Sequence, residues 1–529
     1  MNPSPAPETF AQLWNQSVRV HGSRTFLTFH HPETGVVSWT YAEFDVLIMR
    51  VANALIHRGV GSGDAVHVAL KNSPAFVAIW LAAARLGAWI VPVDPASSAR
   101  DIASQIKRTS PVVGFYGLDR QSAYLDGATG LLTSTVGLTE TSGDTDPASE
   151  LIALTSARTD EHSHRTEPIP QGADRLAVMF TSGTTSEPKG VCLTQRNYVH
   201  LSTTMSKLID LTPEHRWFVT LPLFHGNAQF YCFGPAIAVG ASVALTSAFS
   251  ASKWFEQAHE LKVTHTSLFA APIRMILARR PDDAPRLDLQ HVWFAQSLGA
   301  EHYCQFAEYV GCAPRQLYGM TETIAVATAD LSAHPRHDVI GRPAGGRHIE
   351  LVEPMTLRPV EARNPGMIMV EGTRGVDLFE SYLDDPETTE RSFVVEDGRT
   401  WFRTGDLAEA DRDGVMRFVG RIDDVIKVSG ENVSLTEVEA ALAQIPGVLE
   451  VAVLPKPDPV RDQVPVAFVV AKNQASPPQI AELQQWAEEH LAPQARPREW
   501  TLIDELPRTS VGKVRRFKMA SDNPASSNL

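Results

Sequence analysis

The run Met179-Phe180-Thr181-Ser182-Gly183-Thr184-Thr185-Ser186-Glu187-Pro188-Lys189-Gly190-Val191 constrains this chain more than any other stretch. Before it lies an apolar segment, Leu176 to Phe180, short enough for a buried strand. Hydroxyl residues, two glycines, a proline and a lysine then crowd together. Such a loop brings backbone N–H groups, hydroxyls and one ammonium to bear on a polyphosphate. Glycine permits close backbone approach because it has no Cβ. Lys189 supplies a point positive charge. The run fits neither G-x-x-x-x-G-K-[ST] nor G-x-G-x-x-G. For a generic cluster of this composition, the ordinary alternative is a solvated Ser/Thr/Gly turn.

A chain of 529 residues is too long for one ordinary core, so at least two domains are expected. Its composition, 43% hydrophobic and 20% charged, is that of a soluble globular protein. The formal net charge of −14 argues against nucleic-acid binding and against stable association with an anionic membrane. Cys192, Cys232, Cys304 and Cys312 form no C-x-x-C pair and suggest no zinc site. They fit a reduced, cytoplasmic setting. The segment Met1 to Gln12 carries no apolar signal core. The run Ala75 to Pro92 is interrupted by Arg85 and Gly87, so it reads as a buried helix turning into a strand rather than a membrane span.

Along the chain, a short helix comes first, then a strand at Thr25–Phe29. Thr40 with Glu43 three residues later predicts a capped helix running to about Arg58, with Leu47, Val51, Ala54 and Leu55 on one face. Strands at 65–70 and 89–92 flank a helix at 74–86, and this alternation predicts an α/β layered domain. The span from Thr133 to Asp174 is rich in Ser, Thr, Asp, Glu and Pro and reads as an exposed connection. A helix is expected over 194–208 and a strand over 217–221, then a mostly apolar run over 228–244. Beyond about Asp423 the chain reads as a small α+β domain: a helix at 436–444, strands at 448–454 and 465–470, and an amphipathic helix at 481–490. Residues past Ala520 read as a disordered tail.

Four strings carry the chemistry: the Thr181–Lys189 run, Tyr318-Gly319-Met320-Thr321-Glu322, Trp401-Phe402-Arg403-Thr404-Gly405-Asp406, and Leu506-Pro507-Arg508-Thr509-Ser510-Val511-Gly512-Lys513. In this order and spacing they resemble the adenylate-forming superfamily of acyl-CoA synthetases, peptide-synthetase adenylation domains and luciferases. The resemblance spans about Thr9 to Lys518. Serine at 186, where most of that family has glycine, looks like the carnitine/crotonobetaine-CoA ligase branch. It implies an α/β fold: a large N-terminal multi-layer α/β domain, residues 1–420, and a small mobile α+β domain, residues 421–529, with the hinge near Asp423.

The same resemblance implies the site. Thr181, Ser182, Gly183, Thr184, Thr185 and Lys189 would hold the β- and γ-phosphates of ATP. Tyr318, Gly319 and Met320 would take the adenine, a flat aromatic being suited to stacking. Thr321 would reach the α-phosphate or the acyl carboxylate, and Glu322 would hold Mg²⁺ as a hard oxygen ligand. Asp406 would accept hydrogen bonds from the ribose, with Arg421 nearby. Lys513 would be the adenylation lysine. His225, Asn227, Ala295, Gln296, Ser297 and Gly299 would border the acid. Gln296 and Ser297 depart from the glycine-rich turn of relatives, and their amide and hydroxyl either face a polar substrate or satisfy the turn backbone.

The implied activity is ATP-dependent carboxylate–CoA ligation. A carboxylate is a poor electrophile, and attack on the α-phosphorus of ATP replaces it with an acyl-adenylate. Positioning and charge stabilisation dominate such chemistry. Lys427, Ser429, Gly430 and Glu431 resemble the segment that admits coenzyme A after the small domain rotates. The expected partner is a small-molecule acid, small or polar rather than a long fatty acid, and a homo-oligomer is left open. An alternative keeps adenylation but changes the acceptor to a carrier-protein thiol or an amine, or activates nitrite to diazotise an aromatic amine. A nucleotide-binding protein without turnover would be expected to lack Lys513, Glu322 or Asp406, and all three are present.

Overall fold

The computed structural model describes residues 6–153, 169–181 and 188–507, with Val514 and Met519. Its architecture is α/β, as expected. Ser182, Gly183, Thr184, Thr185 and Lys513, expected in the site, and the tail past Ala520 lie outside the described residues.

Two large sheets form the body. The seven-stranded sheet runs Ser381–Tyr382, Lys189–Thr194, Arg175–Thr181, Trp89–Pro92, Ala65–Ala69, Val113–Gly117, Thr135–Leu138. Its inner strands pair in parallel, while Arg175–Thr181 and Lys189–Thr194 form an antiparallel hairpin. Parallel strands covered on both faces need nearly continuous apolar sequence. Ala65–Ala69 and Trp89–Pro92 are buried throughout. The helix Pro74–Leu86 between them is buried almost all round, capped by Ser73, with Pro74 in its first turn where a missing N–H costs nothing.

The nine-stranded sheet includes, as neighbours, Arg315–Tyr318, His291–Ala295, His265–Phe269 and Arg216–Val219, all parallel. Their carboxyl ends therefore open on one edge. The segments after three of them are those singled out above: Pro222–Asn227, Gln296–Gly299 and Gly319–Glu322. In open α/β sheets that edge is where ligands bind.

A third sheet is built on the long strand Arg399–Ala410, flanked by Gly366–Glu371, Phe393–Glu396 and Met416–Arg421. The last sheet belongs to the C-terminal region. It contains Glu431–Ser434, Val425–Val428, Asp462–Ala471 and Val448–Asp458, with Glu499–Leu502 alongside. This region has its own apolar core around Leu442, Val453 and Leu483. No described helix is long and apolar enough to cross a membrane.

The local signals hold well. Thr9 and Thr40 each close a capping box, with Gln12 and Glu43. The second helix is Tyr41–His57, and Leu47, Val51, Ala54 and Leu55 are buried. Helices at Gln195–Leu208, Leu435–Leu442 and Ile480–His490 fall where expected. Within the connection expected to be exposed at 133–174, the described stretch 135–144 is a correction. Thr135–Leu138 pairs in parallel with Val113–Gly117, and Glu140 and Asp144 are buried. Asp144 accepts from the Thr139 and Glu140 N–H groups at 3.0 and 2.7 Å, and Glu140 from the Lys71 N–H at 2.5 Å. These carboxylates satisfy buried backbone donors, so polar composition here does not mean solvent.

Candidate active site

The two strands flanking the candidate phosphate loop pair antiparallel, with Thr181 opposite Lys189. Thr181 Oγ1 donates to the Lys189 carbonyl at 3.4 Å. Arg108 braces the hairpin from outside. Its guanidinium lies 5.1 Å from the centroid of the Phe180 ring and donates to the Pro188 carbonyl at 2.8 Å and the Leu383 carbonyl at 3.3 Å.

Tyr318 ends its strand buried. Its hydroxyl donates to Asp406 Oδ2 at 2.7 Å. Asp406 is 8% exposed and forms an ion pair with Arg421, Oδ1 to Nε 3.2 Å, across the register Asp406↔Arg421. Burial and the Asp406 charge push the Tyr318 phenol well above its usual range, so it stays a donor. Gly319 must be glycine here: a Cβ would lie 2.9 Å from both the Ala325 carbonyl and the Tyr231 hydroxyl. Met320 and Thr321 are half-buried, with Thr321 opening a short 3₁₀ turn.

Glu322 is 5% exposed, and burial raises its carboxyl pKa. Tyr382 donates to its Oε1 at 3.0 Å. The Lys189 ammonium sits 5.0 Å from the centroid of the same Tyr382 ring. A cleft of about 650 Å³ opens beside these groups, lined in part by Lys189, Tyr382, Arg403, Gly405 and Asp423.

On the acid side, His225 is half-buried next to Phe224, with ring centroids 4.8 Å apart. Asn227 is buried and donates to Ser267 Oγ at 2.9 Å. Ala295 ends its strand, and Gly299 precedes the helix Ala300–Val310. Gln296 and Ser297 are exposed. Gln296 adopts φ +74°, the left-handed conformation glycine favours. Their carbonyls accept from Gln316 Nε2 and Arg274, both at 3.2 Å. The turn backbone is thus served by neighbours, and both side chains reach solvent.

Lys427, Ser429, Gly430 and Glu431 are brought together but lie apart from this cleft set. Val425–Val428 and Glu431–Ser434 form a hairpin closed by Ser429 at φ +52° and Gly430 at φ +88°. Two successive positive φ values match a type I′ turn, which favours glycine at its second position. All four residues are exposed.

Three residues escaped the sequence reading. Tyr382 lies in Ser381–Tyr382, with no motif around it beyond the Asp385-Pro386 helix start. Arg108 is one of several basic residues in an amphipathic helix. Asn72 holds the Pro222–Asn227 segment: its amide donates to the Leu221 and Thr246 carbonyls at 3.1 Å each, and its Oδ1 accepts from Leu223 N–H at 2.8 Å. A polar Asn between a buried strand and a buried helix was the one available signal.

An adenylation-type fold with a large α/β body and a small C-terminal α+β region is therefore present. Residues 14–383 match the family described as AMP-binding enzyme, and residues 437–513 match its C-terminal domain. The chain belongs to the AMP-binding enzyme family. A crotonobetaine/carnitine–CoA ligase of Salmonella paratyphi B is 29% identical over 516 residues, covering 96% of this chain and 98% of that protein. Among solved structures, an anthranilate CoA ligase in complex with anthranoyl-AMP superposes with a TM-score of 0.85 at 23% identity, over 99% of each chain. The O-succinylbenzoate coenzyme A synthetase of Bacillus subtilis, in complex with AMP, superposes with a TM-score of 0.79 at 25% identity, over 96% of this chain and 97% of that one.

Proposed function

We propose that this chain is an ATP-dependent acid–CoA ligase that forms an acyl-adenylate, releases pyrophosphate and passes the acyl group to coenzyme A. One observation carries the reading. Asp406, held by Tyr318 and Arg421, lies within electrostatic reach of Glu322, which meets Lys189 at Tyr382. A ribose-accepting carboxylate, a phosphate-seeking ammonium and a metal-holding carboxylate are the groups that an ATP-cleaving site needs. The full-length likeness to a CoA ligase supports the choice of acceptor.

Each residue then has a task. Asp406 accepts the ribose hydroxyls, paired with Arg421 and oriented by the Tyr318 hydroxyl. Tyr318, Gly319 and Met320 border the adenine. Thr181 and Lys189, with Ser182, Gly183, Thr184 and Thr185, hold the departing pyrophosphate. Thr321 and Lys513 steady the charge gathering on the α-phosphate and carboxylate. Glu322 fits a magnesium ion: it is a hard oxygen donor, and a lone carboxylate suits an ion completed by phosphates and water. Bound there, magnesium neutralises phosphate charge. His225, Asn227, Ala295, Gln296, Ser297 and Gly299 border the acid, and the exposed polar pair fits a small or polar one.

The chemistry balances in two steps. A carboxylate oxygen attacks the α-phosphorus and pyrophosphate leaves. The coenzyme A thiolate then attacks the acyl carbonyl and AMP leaves. For the second step the small domain turns about a hinge near Asp423, and the Lys427–Glu431 hairpin lines the thiol path. The test is pyrophosphate release across short, branched, aromatic and betaine-type acids, with and without coenzyme A. Release that needs one acid class, with acyl-CoA seen by mass, supports the reading. Release indifferent to coenzyme A contradicts the acceptor and directs the search to carrier proteins, amines or nitrite. Lys513→Ala should cripple adenylation yet spare thioester formation from supplied acyl-adenylate, and equal loss of both would contradict its role.

A further inference from the structure

Among the described residues, Tyr382 touches both Lys189, assigned to the phosphates, and Glu322, assigned to the metal. Its position follows from strand pairing. Tyr382 faces Val191 across an antiparallel ladder. Lys189 precedes Val191 by two residues, so it emerges on the same face as the diagonal neighbour of Tyr382. The ring is therefore presented to the ammonium, 5.0 Å from centroid to Nζ. Its hydroxyl reaches the other way, to Glu322 Oε1 at 3.0 Å.

Both ends are anchored. The Tyr382 N–H donates to Thr389 Oγ1 at 2.9 Å, tying the strand to the helix Pro386–Arg391. The Leu383 N–H donates to the Gly190 carbonyl at 2.7 Å, and the Phe379 N–H donates to the Glu322 carbonyl at 2.9 Å. The segment is thus stitched to the phosphate-loop hairpin on one side and the Glu322 turn on the other. A hydroxyl donating to a buried carboxylate makes a strong, directional bond. An ammonium over an aromatic face is attracted without being neutralised.

We propose that Tyr382 is a positioning residue: its hydroxyl fixes Glu322, its ring seats Lys189, and one side chain thereby sets both charged groups for the metal–nucleotide complex. This rests on the roles given above to Glu322 and Lys189 and adds the element that couples them. Tyr382 touches no reacting atom and acts through those two groups.

The experiment measures binding of a non-hydrolysable ATP analogue by calorimetry over a series of Mg²⁺ concentrations, so its readout does not depend on turnover. Tyr382→Phe keeps the ring and removes the hydroxyl. It should raise the Mg²⁺ needed for half-maximal nucleotide binding by about tenfold, as expected for losing one hydrogen bond to a charged group, and leave affinity at saturating Mg²⁺ within about twofold. Tyr382→Leu removes the seat as well and should also weaken nucleotide affinity at saturating Mg²⁺ by about threefold to tenfold. Tyr382→Phe acting equally at every Mg²⁺ level, or leaving binding unchanged, overturns the proposal. So does a Tyr382→Leu protein that matches Tyr382→Phe. If Tyr382→Leu does not fold, the near-isosteric Tyr382→Phe decides alone. Wild type that binds the Mg²⁺–nucleotide complex yet makes no acyl-CoA contradicts the ligase reading and leaves this test standing.

Discussion

The Tyr318–Asp406–Arg421 set and the Lys427–Glu431 hairpin are both assigned to one reaction and are built in opposite ways. In the first, Tyr318 and Asp406 are buried and Arg421 is partly exposed, with Asp406 held from two sides at 2.7 and 3.2 Å. The second is an exposed two-residue turn at the tip of a hairpin. The difference fits the roles proposed for each. Groups that stabilise developing charge are most effective when preorganised and shielded from water. A segment that must approach only after the first step cannot be locked into the body.

Breaking the comparison begins with its strongest member. Asp406→Ala removes the carboxylate that accepts from the Tyr318 hydroxyl and faces Arg421. ATP–pyrophosphate exchange should fall about a hundredfold, since two hydrogen bonds to a charged group are lost. Lys427→Ala should leave exchange within about twofold and slow acyl-CoA formation instead, because an exposed side chain contributes little until docking. Exchange lost equally in both variants would erase the distinction.

The two regions should also separate in stability. Leu442 is fully buried in the small C-terminal core, so Leu442→Ala should cost about 3 kcal/mol. Calorimetry should show an early transition for that region, with the large body unchanged. A single transition shifted as a whole would mean that the regions unfold together.

Acid should act on the opposite partner. His67 and His265 are buried in the large body, and burial lowers their pKa values to about 4 and about 3. The C-terminal region from Asp423 onward has one histidine, His490, and it is exposed. A neutral buried histidine favours the folded state above the unfolded pKa near 6.5. That advantage is lost as pH falls toward the folded value, because the unfolded chain takes up the proton first. Each should contribute about 1 kcal/mol of loss per pH unit between pH 6 and 4. Melting of the large body followed over that range checks the sign, and a rise in stability on acidification would contradict it. The smallest effect is expected at the turn. Ser429→Asn suits two successive positive φ values and should stabilise the hairpin by a few tenths of a kcal/mol, at about 0.3. A measurable loss instead would exclude the turn type.

What sequence could convey divides along the same line. Capping at Thr9, Thr40, Ser73 and Thr194 is local, and the helices begin where those residues stand. The strings around Thr181, Tyr318 and Asp406 were legible because their chemistry is written consecutively. Tyr382, Arg108 and Asn72 were not, since each works through partners far away in the chain: Glu322, Leu383 and Thr246. The stretch around Thr135–Asp144 misled for a related reason. Its carboxylates look solvated in composition and instead satisfy buried N–H groups. Gln296 shows the converse, a left-handed position kept without the glycine that would have announced it.

The central claim is that a carboxylate oxygen attacks the α-phosphorus of ATP in the cleft between Lys189 and Asp406. It is tested most directly by supplying the acid with ¹⁸O in both carboxylate oxygens, together with ATP, Mg²⁺ and coenzyme A, and weighing the products. The account predicts one ¹⁸O in AMP, none in pyrophosphate, and one retained in the acyl-CoA carbonyl. Unlabelled AMP, or label appearing in inorganic phosphate alongside ADP, would contradict it.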